Sequence, residues 1–120
     1  MTPSRWLLVA SSLLLTLGGV THLRAFPKAA AAADTSNLAP FFANALKALW
    51  VMDSCGMFVL AAVGVVVVAQ PASASAAVIG LLSLIPLTTA VLLYVFLGNF
   101  PAAHLLMVVA ACLAGAALTR

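Results

Sequence analysis

Charged residues are the scarcest class in this sequence, with five Lys and Arg and two Asp and Glu among 120 residues. Ordinary soluble domains are about one-quarter charged. A water-soluble fold of this size must cover its surface with polar groups, and a chain that is 66% hydrophobic and 6% charged has too few of them. The composition therefore excludes an ordinary soluble domain and predicts an integral membrane protein in contact with the lipid bilayer.

The few basic and cysteine residues exclude two further classes. The basic residues lie at the ends of apolar runs, which is typical of interfacial anchors and not of a nucleic-acid-binding patch. The only cysteines, Cys55 and Cys112, lie inside apolar segments and form no CxxC or other metal-binding spacing. We expect both to be small packing residues and expect no cysteine-based metal site.

The N-terminal apolar run needs comparison with a signal peptide. Arg5 precedes the run Trp6–Val20, and the alanine-rich stretch Ala29–Ala33 resembles a cleavage region. Arg24 and Lys28 lie between the two, which is the wrong order for cleavage. The pattern therefore predicts an uncleaved first helix.

The remaining hydrophobic runs predict three more helices in one all-α domain covering residues 1–120. The most apolar stretch, Ala48–Ala69, has the length of a membrane span and carries a single charge, Asp53. Short connections favour an up-down-up-down four-helix bundle with antiparallel neighbours. We expect residues 24–40 to form a loop on the membrane surface, with a short helix starting at Pro27. The expected spans are residues 5–23, 41–69, 76–97 and 101–118.

Small residues on these helices predict close helix–helix packing. In lipid no hydrophobic force drives helices together, so small side chains that let backbones approach mark the interfaces. The glycines expected to serve this purpose are Gly18, Gly19, Gly64 and Gly115.

The polar residues converge at one end of the predicted bundle. With four antiparallel spans, the end of the first, the start of the second, the end of the third and the start of the fourth lie on the same side. Asp53 then lies about 8 Å below that interface, at ~1.5 Å of rise per residue. We expect a polar pocket there; its candidate residues are Asp53, His22, His104, Tyr94 and Trp50.

These observations leave three functions open. The small-residue stripes favour a non-enzymatic accessory or assembly subunit of a membrane complex, or a homo-oligomer. A small oligomeric transporter would use Asp53 for its substrate. A membrane redox or lipid-modifying enzyme would use a pocket of His22, Asp53 and His104, and a haem or metal ion between the two histidines is a further alternative.

Location follows from the same patterns only in part. We expect a multi-pass protein of a bacterial-type inner membrane. Its orientation stays open, because basic residues are nearly balanced between the two sides and the positive-inside rule depends on their difference.

Overall fold

The computed structural model describes all 120 residues, which form four α-helices and one short 3₁₀ turn. The helices are α1 (Pro3–Asp34), α2 (Pro40–Ala69), α3 (Ala76–Leu97) and α4 (Pro101–Leu118), and the turn is Pro71–Ser73. Thr2 caps α1 and Ser75 caps α3 through their side-chain oxygens. A proline is the first residue of α2 and of α4. At that position a backbone N–H would have no hydrogen-bond partner within the helix, so its absence costs nothing. Gly98 ends α3 with a φ of +70°, which glycine adopts readily.

The first helix is longer than expected. The sequence predicted a surface-lying loop over residues 24–40, but α1 continues without a break through Pro27 to Asp34, and only five residues separate it from α2. Pro27 removes one backbone hydrogen bond. The alanine run Ala29–Ala33 restores helix, because alanine has the highest helix propensity of all residues. Residues 26–47 therefore form a helical hairpin, referred to below as the projecting hairpin.

The helices pack in the order α2, α1, α4, α3. Helix α1 lies against both α2 and α4, and α4 lies against α3, whereas α2 and α3 approach each other at few points. The sequence predicted α2 and α3 as packed neighbours because their connection is short. Although the connection is short, α2 and α3 form no packed interface, and the space between them is a furrow with α1 and α4 as its floor.

The outer surface is apolar. All four helices are long and apolar enough to cross a membrane. Large side chains such as Phe96, Val95 and Leu81 lie 78%, 69% and 66% exposed on it. A soluble monomer rarely exposes a continuous apolar surface of this extent. The structure is that of an all-α four-helix bundle and fits a small multi-pass membrane protein.

Candidate functional site

A cluster of polar and aromatic side chains joins α1 to α2 at the end where the furrow opens. The imidazole of His22 stacks on the indole of Trp50, with ring centroids 4.2 Å apart and an interplanar angle of 11°. The Trp50 indole Nε1–H donates to the carbonyl oxygen of His22 at 2.8 Å. Ring and backbone of His22 are therefore both held by the same tryptophan.

Ser54 holds the His22 ring from α2. The Ser54 Oγ lies 2.9 Å from His22 Nδ1 and 3.2 Å from the Trp50 carbonyl oxygen. A serine hydroxyl has one hydrogen to donate, so either it donates to Nδ1 or Nδ1–H donates to it. In both cases Nδ1 is used between α1 and α2, and Nε2 is the ring nitrogen left on the side of Asp53.

Asp53 faces that nitrogen. Its Oδ2 lies 3.7 Å from His22 Nε2, and the side chains are 43% and 24% exposed, respectively. An ionised carboxylate only accepts hydrogen bonds, so Asp53 presents acceptor oxygens on the side of His22.

Asp53 and His22 line a partly open cavity of about 630 Å³, referred to below as the chamber. Its floor comes from α1 and α4, and α2 and α3 form its sides. Most of the lining is apolar, and Thr21, His22 and Asp53 are its polar side chains. The full lining is Gly18, Thr21, His22, Ala25, Leu46, Leu49, Trp50, Asp53, Met57, Leu93, Leu97, Phe100, Pro101, Ala102, Leu105 and Leu106.

A second polar cluster lies at the connection between α3 and α4. His104 Nε2 and the Asn99 Oδ1 are 2.6 Å apart, as are His104 Nδ1 and the Tyr94 hydroxyl. Since the amide oxygen can only accept, Nε2 carries the hydrogen and the Tyr94 hydroxyl donates to Nδ1. Both ring nitrogens are thus used within one exposed turn, and this cluster does not line the chamber.

The predicted pocket therefore falls into two parts. His22, Trp50 and Asp53 come together, whereas Tyr94 and His104 form a separate cluster. The enzyme and haem alternatives required the two histidines to act on one centre, yet each makes its hydrogen bonds to a different set of groups. No three His, Cys, Asp or Glu side chains converge as ligands for a metal ion.

The other cations expected near Asp53 lie elsewhere. Lys47 Nζ pairs with Asp34 Oδ1 at 2.6 Å, across the projecting hairpin. Arg24 is exposed and forms no ion pair with Asp53. His22 is thus the only ionisable side chain within ion-pairing distance of Asp53.

A narrow groove continues the furrow from the chamber toward the middle of the bundle. It shares Asp53, Met57 and Leu106 with the chamber and is lined on its two sides by Gly56 of α2 and Pro86 of α3. A Cβ atom added to Gly56 would meet nothing within 4 Å. The groove is therefore open in front of this glycine.

The glycines singled out in the sequence have close neighbours. A Cβ atom on Gly18 would lie 3.3 Å from Leu105 Cδ2. On Gly19 it would lie 2.9 Å from the Phe58 ring, and on Gly115 3.2 Å from Leu7 Cδ1. On Gly64 it would overlap the Ser12 Oγ.

Sequence reasoning did not single out Ser54 and Gly56 for the site. The signal for Ser54 was its position four residues after Trp50, where its hydroxyl can reach the Trp50 carbonyl within the helix. The signal for Gly56 was a glycine inside an apolar helix three residues after Asp53, on the same helix face.

Fold and site together define a class, a four-helix bundle that fits a multi-pass membrane protein, with a carboxylate–imidazole pair in the wall of a partly open chamber. Compared with protein-family models, with curated proteins and with solved structures, the chain matches none of them.

Proposed function

We propose that this protein is a non-enzymatic accessory or assembly subunit of a complex in a bacterial-type inner membrane, and that a helix of its neighbour, from a second copy or another subunit, packs in the groove at Gly56. The observation that carries the proposal is the open space in front of Gly56. Interfaces between membrane helices are enriched in small residues that allow close backbone approach.

Gly56 has no packing role within the chain. A glycine in a helix interior is about 1 kcal/mol less favourable than alanine, so its presence needs a reason. Gly18, Gly19, Gly64 and Gly115 have neighbours against which any larger side chain would press. Gly56 has no such neighbour, so we attribute its presence to a close contact with a helix from outside the chain.

The experiment compares the size of the complex extracted in mild detergent from membranes of the protein's own cells. After subtraction of the bound detergent, we expect the wild-type complex to have a mass well above the 12.2 kDa of one subunit. Gly56→Leu fills the groove and should release the monomer. Cys55→Leu is the matched control, because Cys55 is the exposed neighbour on α2 and lines neither the groove nor the chamber.

Two results would contradict the proposal. A wild-type chain that migrates as a monomer at every detergent concentration has no partner to assemble with. A complex that survives Gly56→Leu unchanged does not use the groove.

A small oligomeric transporter using Asp53 is the second candidate. The observation that favours it is the exposure of Asp53 to the chamber, because ionisable groups within membrane spans often mark substrate or ion pathways. Four spans enclose little space for a pathway alone, so this function also requires an oligomer. Loss of substrate uptake in Asp53→Asn, with assembly intact, would distinguish it from the accessory role.

A further inference from the structure

We propose that the chamber binds an apolar amine in its ammonium form, held by the Asp53 carboxylate. This inference rests on the second candidate function and names the substrate class of the same carboxylate. It is tested by binding and not by transport, so the two can fail separately.

Most polar side chains at the chamber are already hydrogen-bonded within the chain. The Trp50 N–H donates to the His22 carbonyl oxygen, and His22 Nδ1 is hydrogen-bonded to Ser54. The Thr21 hydroxyl lies 2.9 Å from two carbonyl oxygens of its own helix. The Asp53 carboxylate is the acceptor that remains, since His22 Nε2 is 3.7 Å away, beyond hydrogen-bond distance. A ligand that complements this carboxylate has to be a hydrogen-bond donor.

The charge of the residues that line the chamber narrows the class of ligand further. From α3 and α4 the chamber is lined only by uncharged residues, and neither Lys47 nor Arg24 forms an ion pair with Asp53. An ammonium group supplies both the hydrogen-bond donor and the positive charge that complement the Asp53 carboxylate.

The volume and walls of the chamber fit the rest of such a molecule. Sites for small ligands usually measure about 300–1,000 Å³ and combine apolar walls with a few placed polar groups. The chamber has about 630 Å³, its polar side chains lie on α1 and α2, and α3 and α4 contribute apolar side chains such as Leu93, Leu97 and Leu105.

The chain contains its own fluorescent reporter of binding. Trp50 lines the chamber, and Trp6 is the only other tryptophan. In Trp6→Phe protein in lipid vesicles, we expect 1-adamantylamine to change the Trp50 emission with saturation. Asp53→Asn should weaken binding at least about tenfold, because it removes a charge-assisted hydrogen bond. Asp53→Glu should retain binding.

Two matched compounds separate charge from apolar partitioning. 1-Adamantanol keeps the cage and a donor without the charge, and 1-adamantanecarboxylate reverses the charge. Both should bind at least about tenfold more weakly than the amine. Equal binding of the alcohol, tighter binding of the carboxylate, or amine binding that survives Asp53→Asn in protein with a native circular dichroism spectrum would overturn the proposal.

A lysine on a neighbouring helix would present the same chemistry to Asp53. A synthetic leucine-rich transmembrane peptide with a single lysine is therefore the second arm of the experiment. A response of Trp50 to this peptide, with none to the free amine, would assign the site to a partner's lysine and overturn the small-molecule assignment. The reverse result supports the proposal.

Discussion

The two ends of the bundle differ in how closely their helices pack. At the end where α1 begins, Ser4 donates to the Ala116 carbonyl oxygen at 2.9 Å, and Gly64 lies against Ser12. At the end where α1 continues into the projecting hairpin, the furrow widens into the chamber beside His22 and Asp53. Small side chains fill the end where α1 begins, referred to below as the closed end. At the other end, referred to below as the open end, the chamber lies beside the carboxylate of Asp53.

This contrast separates stability from binding. At the closed end, substitutions act on packing, since interiors tolerate little change in volume. At the open end the chamber leaves room for side chains of different volume. A substitution there acts mainly by changing which hydrogen bonds or charges are offered to a ligand. Substitutions at the closed end should therefore change the free energy of unfolding, and those at the chamber should change what binds.

The largest expected effect is that of Gly64→Leu. A side chain there overlaps Ser12 and presses on the backbone of α1, and overpacking typically destabilises by about 1–3 kcal/mol or more. The measurement is the free energy of unfolding in mixed micelles, followed by circular dichroism during titration with sodium dodecyl sulfate. Gly56→Leu is the control: it gains a similar helix propensity, worth up to about 1 kcal/mol, but meets no neighbour, so it should not lower the free energy of unfolding of the monomer. Equal losses in the two variants would remove the contrast between closed and open positions.

A smaller loss is expected for Trp50→Phe. The variant keeps an aromatic ring against His22 but loses the hydrogen bond from the indole to the His22 carbonyl, worth about 1 kcal/mol. Unfolding in mixed micelles again provides the value, and Trp6→Phe is the matched control because Trp6 is exposed. A loss no larger than that of the control would show that the indole does not hold α1 to α2.

Much of the fold could be predicted from the sequence, because lipid imposes length and apolarity on each span. The predicted spans 76–97 and 101–118 coincide with α3 and α4, and 41–69 begins one residue inside α2. The predicted end of the first span at residue 23 is not the end of the helix, because Pro27 does not begin a separate short helix but lies within α1. Helical propensity at Ala29–Ala33 sustained the helix beyond Pro27.

The candidate site was less predictable, since it depends on how each helix is rotated about its own axis. Depth follows from residue counting, and it placed His22 and His104 at the same end. Rotation follows from packing between helices, and it turned His104 toward Tyr94 instead of Asp53. The furrow could not be predicted either, because a short connection restrains only the adjoining ends of α2 and α3.

The second histidine cluster should contribute less than the first. Tyr94→Phe removes the hydroxyl that donates to His104, an exposed hydrogen bond that we expect to be worth at most about 0.5 kcal/mol. The variant should leave amine binding to the chamber unchanged. Unfolding in mixed micelles and Trp50 fluorescence test the two statements separately. Weakened amine binding would mean that the two clusters are coupled, contrary to their separate hydrogen bonds.

The smallest effect is expected in the projecting hairpin, where Lys47 pairs with Asp34. Asp34 is 60% exposed, and ion pairs of this kind usually contribute between about 0 and 1 kcal/mol, because water and salt screen them. Asp34→Asn should thus lower the free energy of unfolding by a few tenths of a kcal/mol at most, and added salt should remove the difference. Lys28→Gln is the control, since Lys28 is exposed on the same hairpin and forms no ion pair. A loss of unfolding free energy above about 1 kcal/mol that persists in high salt would be larger than a screened surface ion pair provides. It would remove the expected difference in stability between the projecting hairpin and the closed end.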